Sequence, residues 1–308
     1  MTHEDVPRRE EELLGSLPAL FFFLSLSFMP REHLDGSAVQ PESILQGNDK
    51  EILFRLEQAV HETGLAALRG SMEHVIAHVG SVASDLSWGW LAPLNRPEYT
   101  LFQYREVFRP LARHIATDPA YDWWWEGGGG QWVTAKDTGS SDWSKLNDRQ
   151  HWSNQPRYAH SIQTTPGPIG SAASTLAVCV DNDTMPQGDH RVMQFQGPMS
   201  DNGVRIRGVD DWKHLLSLGS ARITSTQTRK DWDAFLGRHP RWVTPAWENI
   251  VEHVSWVELT LAGFLTTAYR PITVDGETTA IIGWNPGATM HFNVDPTPYT
   301  SWADTDHN

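Results

Sequence analysis

The chain has 308 residues, 39% of them hydrophobic and 20% charged, with 38 acidic against 24 basic side chains and a formal net charge of −14. That acidic balance, with no cluster of Lys and Arg, disfavours a nucleic-acid backbone as partner and suits a cationic small molecule or a basic protein partner. The single cysteine, Cys179, excludes an internal disulfide and a cysteine-based metal site within one chain, a usage that fits the cytoplasm.

The length allows one large domain or two of ordinary size. Residues 1–12 read as a charged tail. The apolar run from Leu13 to Met29 contains Pro18 and follows Glu10, Glu11 and Glu12 instead of a basic segment. It therefore reads as a buried strand or short core segment, not as a membrane span or signal peptide. From Asp49 to Leu86 the spacing of Ile52, Leu53, Leu56 and Val60, resumed after Gly64 by Leu65, Leu68, Met72, Val75, Ile76 and Val79, predicts one kinked helix or two in succession. A further helix is predicted over Phe102–Ala116, bent or divided by Pro110.

Periodicity stops between 127 and 155, which reads as a loop or linker between a mainly helical region, 1–126, and a β-rich region, 156–308. In the latter, strands are predicted at Ser174–Val180, Arg191–Phe195 and Val204–Arg207. Short helices follow at 211–216 and 231–236, and a third at Pro245–Val254 capped by Thr244. The end of the chain reads as an antiparallel meander: Trp256–Leu261, Phe264–Tyr269, Ile272–Val274, Thr278–Trp284 and Thr289–Val294. Its turns are Asp275-Gly276 and Asn285-Pro286-Gly287. The fold class is α+β, with a helical N-terminal part followed by a mostly antiparallel sheet with short helices.

All fifteen tryptophans lie between Trp88 and Trp302. Each brings a large apolar area and one N–H that needs a partner, so they build a thick aromatic core or line a binding surface. Strand alternation selects among them. Trp256, Glu258 and Thr260 share one face of their strand, and Thr289, His291 and Asn293 share one face of the last. Were the two faces the same side of the sheet, Glu258 and His291 would converge beside Trp256 as a general acid/base pair; the plainer alternative is a solvent-facing sheet surface. Arg205 and Arg207, about 7 Å apart by the strand rise, form a possible clamp for an anion, with Arg270 and Tyr269 at the end of another predicted strand and Trp284 as a pocket wall.

His74 and His78, four apart on a predicted helix, make a two-ligand metal clip geometrically possible, with His61 or Glu57 as further ligands; solvated or capping histidines explain them more simply. Asp181 and Asp183, with Asp189 and His190 nearby, are weaker candidates for a cation loop. Cys179 lies in an apolar run and reads as an inert core residue. No P-loop, GxGxxG, GxSxG or kinase signature is present, so no nucleotide cofactor is expected.

The Asp211-Trp212 helix, the segment from Trp242 to Trp247, the stretch from Val257 to Ala268 and the turn Gly283-Trp284-Asn285-Pro286 together resemble an uncharacterised bacterial Trp-rich family over about the last hundred residues. The resemblance carries no activity; its habitat suggests a role in bacterial specialised metabolism or defence. The reading that follows is a cofactor-independent enzyme, a hydrolase, lyase or transferase, using acid/base chemistry on a small polar or anionic substrate. The alternatives are an acidic protein-binding module of immunity or scaffold type and a non-catalytic binder of aromatic or carbohydrate ligands.

Overall fold

The described residues before Ser87 build helices by pairing charges in the first of them and burying most of the apolar side chains of the rest. The computed structural model describes residues 5–28, 44–87, 101–127, 130–134, 152–156, 161–167, 176, 192–195, 200–292 and 300–301. Helix α1 (Asp5–Leu14) occupies what the sequence suggests is a loose tail. Its charges are ordered because they have partners: Glu10 is buried against Arg109 and Arg113, and Arg9 is buried against Asp122, 3.1 Å away. Helix α2 (Leu17–Phe28) replaces the expected strand, and ten of its twelve residues are buried. A segment apolar on all sides shows no helical stripe, and Pro18 falls in the first turn, where it removes no helical hydrogen bond. The axes of α1 and α2 bend by 83°, and among the described residues no single helix is long and apolar enough to cross a membrane.

Helix α3 (Asp49–Ala59) starts at a capping box in which the Asn48 side chain accepts from the N–H of Glu51 and the Glu51 carboxylate accepts from the N–H of Asn48. The stripe continues through one π-helical turn (Val60–Gly64), a single turn α4 (Leu65–Leu68), a break, and α5 (Met72–Ser87). Pro110 divides the next predicted helix into a 3-10 segment (Leu101–Phe108) and α6 (Arg109–Thr117), and the short α7 (Trp123–Glu126) follows.

Seven strands form the main sheet: β1 (Gly130–Thr134), β2 (Ser161–Gly167), β3 (Val192–Phe195), β4 (Gly203–Ile206), β7 (Trp256–Leu259), β10 (Thr289–Phe292) and β11 (Thr300–Ser301). Their spatial order is β11-β3-β1-β2-β10-β7-β4, antiparallel throughout except for the parallel pair β4–β7. Two ribbons stand apart, β5 (Ser220–Arg222) with β6 (Val243–Pro245), and β8 (Ile272–Val274) with β9 (Glu277–Thr279). Helices α8 (Val209–Leu218), α9 (Thr226–Leu236), α10 (Trp247–Ile250) and α11 (Leu261–Thr267) complete the described elements. The predicted hairpin turn is present, with Asp275 at φ 49° and Gly276 at φ 79°.

Three assignments from the sequence are corrected. The segment expected as a strand over Phe264–Tyr269 is helical as far as Thr267, with Ala268 extended in a bridge to Ile281: Thr260 caps α11 by accepting from the Gly263 N–H at 2.9 Å, and all seven residues of α11 are buried, which erases the periodicity that marks a helix. The helix expected at Pro245 begins at Trp247, because residues 243–245 pair with β5. The linker contains β1 and, beyond it, a strap at 152–155 that is among the most heavily bonded segments of the chain. Of the predicted strand Ser174–Val180 only Leu176 is described, buried and helical, and Cys179 lies outside the described residues.

The strap organises the aromatic core. The buried Asn154 side chain donates to the Ala280 carbonyl at 2.7 Å and accepts from the Ile282 N–H at 3.0 Å and the Trp284 indole at 2.9 Å. Its own carbonyl accepts from Trp247, and the carbonyl of Trp152 accepts from Trp232. Residues 280–284, expected to continue a strand, are thus tied to the strap, with the Asn154 side chain alone meeting three of their groups. Replacing Asn154 by Ala leaves the indole of Trp284 and the N–H of Ile282 buried without acceptors. At about 1–3 kcal/mol for each stranded group, guanidinium unfolding is expected to show a loss of about 3 kcal/mol or more.

Candidate functional site

Register fixes which side chains meet across the sheet. Glu258 on β7 stands opposite Thr289 on β10 and opposite Arg205 on β4, and Thr289 in turn stands opposite Thr164 on β2. Arg205, Glu258, Thr289 and Thr164 therefore form one row across four strands. Trp256, paired with both His291 and Gly203, forms the next row on the same face. The opposite face carries Val257, Met290 and Phe292 toward the aromatic core, where Phe292 meets Trp247 at a ring distance of 6.2 Å.

The polar face is covered, not solvent-facing. Glu258 and Thr289 are 0% exposed and His291 2%. One carboxylate oxygen of Glu258, Oε2, accepts from Arg205 Nε at 2.7 Å; the other, Oε1, is buried and among the described residues has no hydrogen-bond partner. Burial raises the pKa of Glu258 above the ordinary carboxylate range, with the guanidinium of Arg205 opposing the shift. The Thr289 hydroxyl is likewise buried without a partner. His291 Nε2 and Thr164 Oγ1 are hydrogen-bonded at 2.9 Å, and burial lowers His291 to about 4, so its imidazole is neutral at pH 7.

Two glycines make room for this row. The chain leaves α7 through Gly127 at φ +60°, and a Cβ there would stand 2.6 Å from Glu258 Oε1 and 2.9 Å from Arg205 Nε and Nη2. The Trp256 ring lies flat on Gly203, where a Cβ would come within 2.0 Å of it; its indole donates to the Ser200 carbonyl, and Arg205 rests 5.6 Å from its centre.

The remaining candidates from the sequence are placed elsewhere. Arg207, just past the end of β4, turns out to solvent and forms a two-pronged pair with Asp211 at 3.0 and 3.1 Å, so it does not form a clamp with Arg205. Thr260 is spent as the cap of α11. Trp284 is fully buried in the aromatic core. Tyr269, at φ 54°, accepts through its hydroxyl from the Gly283 N–H and bonds Ser87 at 2.9 Å. Arg270 is exposed and donates to the Thr266 carbonyl. Asp181, Asp183, Asp189, His190 and Asn293 lie outside the described residues. Alternation grouped Thr289 with His291 but gave no sign of Thr164, and the role of Gly127 depends on a positive φ that leaves no trace in a run of four glycines.

A second set of buried polar groups lies on the helices. His78 Nδ1 is hydrogen-bonded to Ser25 Oγ at 2.7 Å, and its Nε2 lies 3.2 Å from His74 Nε2. Burial lowers His78 to about 3, which keeps it neutral. No group of three or more His, Cys, Asp or Glu side chains able to hold a metal ion occurs among the described residues, so Glu57 and His61 do not join the pair. Asp85, on the same helix, is buried, and desolvation raises it to about 7.

Comparison with protein-family models, with curated proteins and with solved structures returns no match.

Asp85 gives a pH dependence of known sign. Its folded pKa is raised from 3.8 to about 7, so its stabilising contribution is present below pH 3.8 and is lost as the pH climbs to about 7. Asp85→Asn is therefore expected to unfold like the parent at pH 4 and to be more stable at pH 8, by up to about 4 kcal/mol. Denaturant titrations at the two pH values measure the difference; equal stabilities at pH 8 would show that the carboxyl is not desolvated.

Proposed function

We propose that the chain is an enzyme that moves a proton on a small polar substrate, with Glu258 as its general acid/base. The observation that carries this reading is the unpartnered oxygen of Glu258. A carboxyl fully withdrawn from water, pinned through one oxygen by Arg205 and leaving the other unbonded, is held in one orientation with a proton-transferring atom in reserve. A structural ion pair of this kind satisfies both oxygens, because a stranded buried acceptor costs about 1–3 kcal/mol. The raised pKa supports the role as well, since it brings the carboxyl toward the pH at which it both gives and takes a proton.

In this reading Arg205 fixes Oε2, and Oε1 accepts a proton from the substrate or returns one to it. The Thr289 hydroxyl, directly across the ladder, donates a hydrogen bond to substrate oxygen on which charge develops. Neutral His291 is hydrogen-bonded to Thr164 in the neighbouring row and shapes the site without carrying charge. The site needs no nucleotide for this chemistry. The lone Cys179 supports a reducing compartment such as the cytoplasm as its place of work.

The test is Glu258→Gln, which keeps shape and removes the proton-transferring oxygen. Consumption of compounds from a fractionated small-metabolite extract, followed by mass spectrometry, is expected to fall by about 10²–10⁴-fold while the circular dichroism spectrum is retained. Consumption at the parent rate rules out Glu258 as the acid/base.

A further inference from the structure

We propose that Arg205 anchors the substrate through a single carboxylate group, and that the site takes up one proton when such a monoanion binds. The proposal rests on the reading of Glu258 given above and adds the class of ligand to it.

The geometry of Arg205 points to this role. Of its donors only Nε is engaged, by Glu258; among the described residues Nη1 and Nη2 make no hydrogen bond. The Arg205 side chain is 33% exposed while that of Glu258 is 0% exposed, so the guanidinium bridges the buried carboxyl and the outside. Its plane is steadied from two directions, by the Nε bond and by the Trp256 ring 5.6 Å away, which leaves the Nη edge presented in a fixed orientation. Gly127 packs directly against this edge, where a Cβ would clash with Nη2, Nε and Glu258 Oε1 together, so only a glycine lets the turn approach the pair so closely. A planar carboxylate matches the fork of a guanidinium edge.

Charge selects the monoanion. The charged and titratable groups on the surrounding elements are Arg205 on β4, His291 on β10, which is neutral, and Glu126 ahead of Gly127, which is paired to Arg9 at 3.7 Å. Arg207, the next arginine on that segment, is neutralised by Asp211. Among the described residues one uncompensated positive charge is thus available, and only when Glu258 carries a proton. With Glu258 ionised, the guanidinium is already neutralised and an incoming anion meets a carboxylate. With a proton on Oε1, Arg205 offers its full charge, and the Oε1–H group becomes a donor. Binding of the anion therefore draws one proton from solvent onto Oε1; no other bond is made or broken. A phosphate dianion finds no second positive charge.

Calorimetric titration of the full chain with benzoate and, separately, with inorganic phosphate tests this, using buffers of different ionisation heat. The expected result is benzoate binding that takes up no proton below the pKa of Glu258 and one proton above it, where affinity falls about tenfold per pH unit, with weaker binding of phosphate. Arg205→Met is expected to lose benzoate binding, and Arg205→Lys, which keeps the charge without the fork, to weaken it about tenfold. Glu258→Gln is expected to bind benzoate at least as tightly as the parent and without pH dependence.

Benzoate binding unchanged in Arg205→Met, tighter binding of phosphate, or failure of the parent to bind benzoate overturns the proposal. The two readings separate in Glu258→Gln: benzoate binding kept with turnover unimpaired defeats the acid/base role and leaves the anchor standing. Pure loss of turnover with pH-dependent binding intact defeats the coupling and leaves the acid/base role.

Discussion

The arrangement turns on a single buried amide. Asn154 has no regular secondary structure of its own, yet its side chain uses donor and acceptor together on three groups of segment 280–285, and its backbone N–H donates to Ile282. Tryptophan-rich cores face a recurrent difficulty, because each indole imports one N–H that must find an acceptor inside apolar surroundings. Here backbone carbonyls and side-chain oxygens meet that demand. Trp232 uses the carbonyl of residue 152, Trp247 that of 154, Trp284 the Asn154 side chain, Trp242 the Asp233 carboxylate and Trp256 the carbonyl of Ser200. Once those indoles are fixed, Phe292 and Met290 have a surface to pack against, and the face of β10 that carries Thr289 and His291 is set by alternation.

Against this background the unmet groups stand out. The indole N–H groups of Trp123, Trp124 and Trp125 are buried without partners, as are Glu258 Oε1 and Thr289 Oγ1. Trp124 packs against Tyr121 and Phe22, and Trp125 lies under Arg9, so these two belong to the contact of α7 with the N-terminal helices. Trp123 reaches the end of β2 at Gly167. One half of the molecule satisfies its polar groups closely, while the turn carrying Gly127 and the row beneath it do not. Such local departures from satisfaction are where binding energy for a ligand is held in reserve.

Much of this was legible in the sequence, and the failures have common physical causes. Period-two alternation grouped Trp256 with Glu258 and Thr289 with His291 within their strands, and the pairing of β7 with β10, which no local pattern contains, puts both groups on one side of the sheet. Helix α3 and the stripe through Val79 were legible because one face is wet. Helices α2 and α11 were not, since burial on every side leaves no contrast to read. The strap at 152–155 was mistaken for a connection because its order comes from residues about 130 positions away, a pairing no local window contains. Arg207 and Arg205 looked equivalent by spacing; a nearby Asp211, one helical turn into α8, separated their fates.

The composition of the polar row also bears on how the molecule comes into being. Arg205 and Glu258 lie 53 residues apart, and Thr164 and His291 lie 127 apart. Ser16, at the start of α2, donates to the carbonyl of Leu265, 249 residues later. Contacts of such separation each close a long loop before they return any stabilisation, which slows folding and concentrates the gain at the end of the process. During synthesis the row stays unassembled until β10 has been made, and nascent chains shorter than that hold Arg205 and Glu258 with no strand on the far side of β7. The polar row is therefore complete only when the fold is complete, and a partly made chain does not contain it.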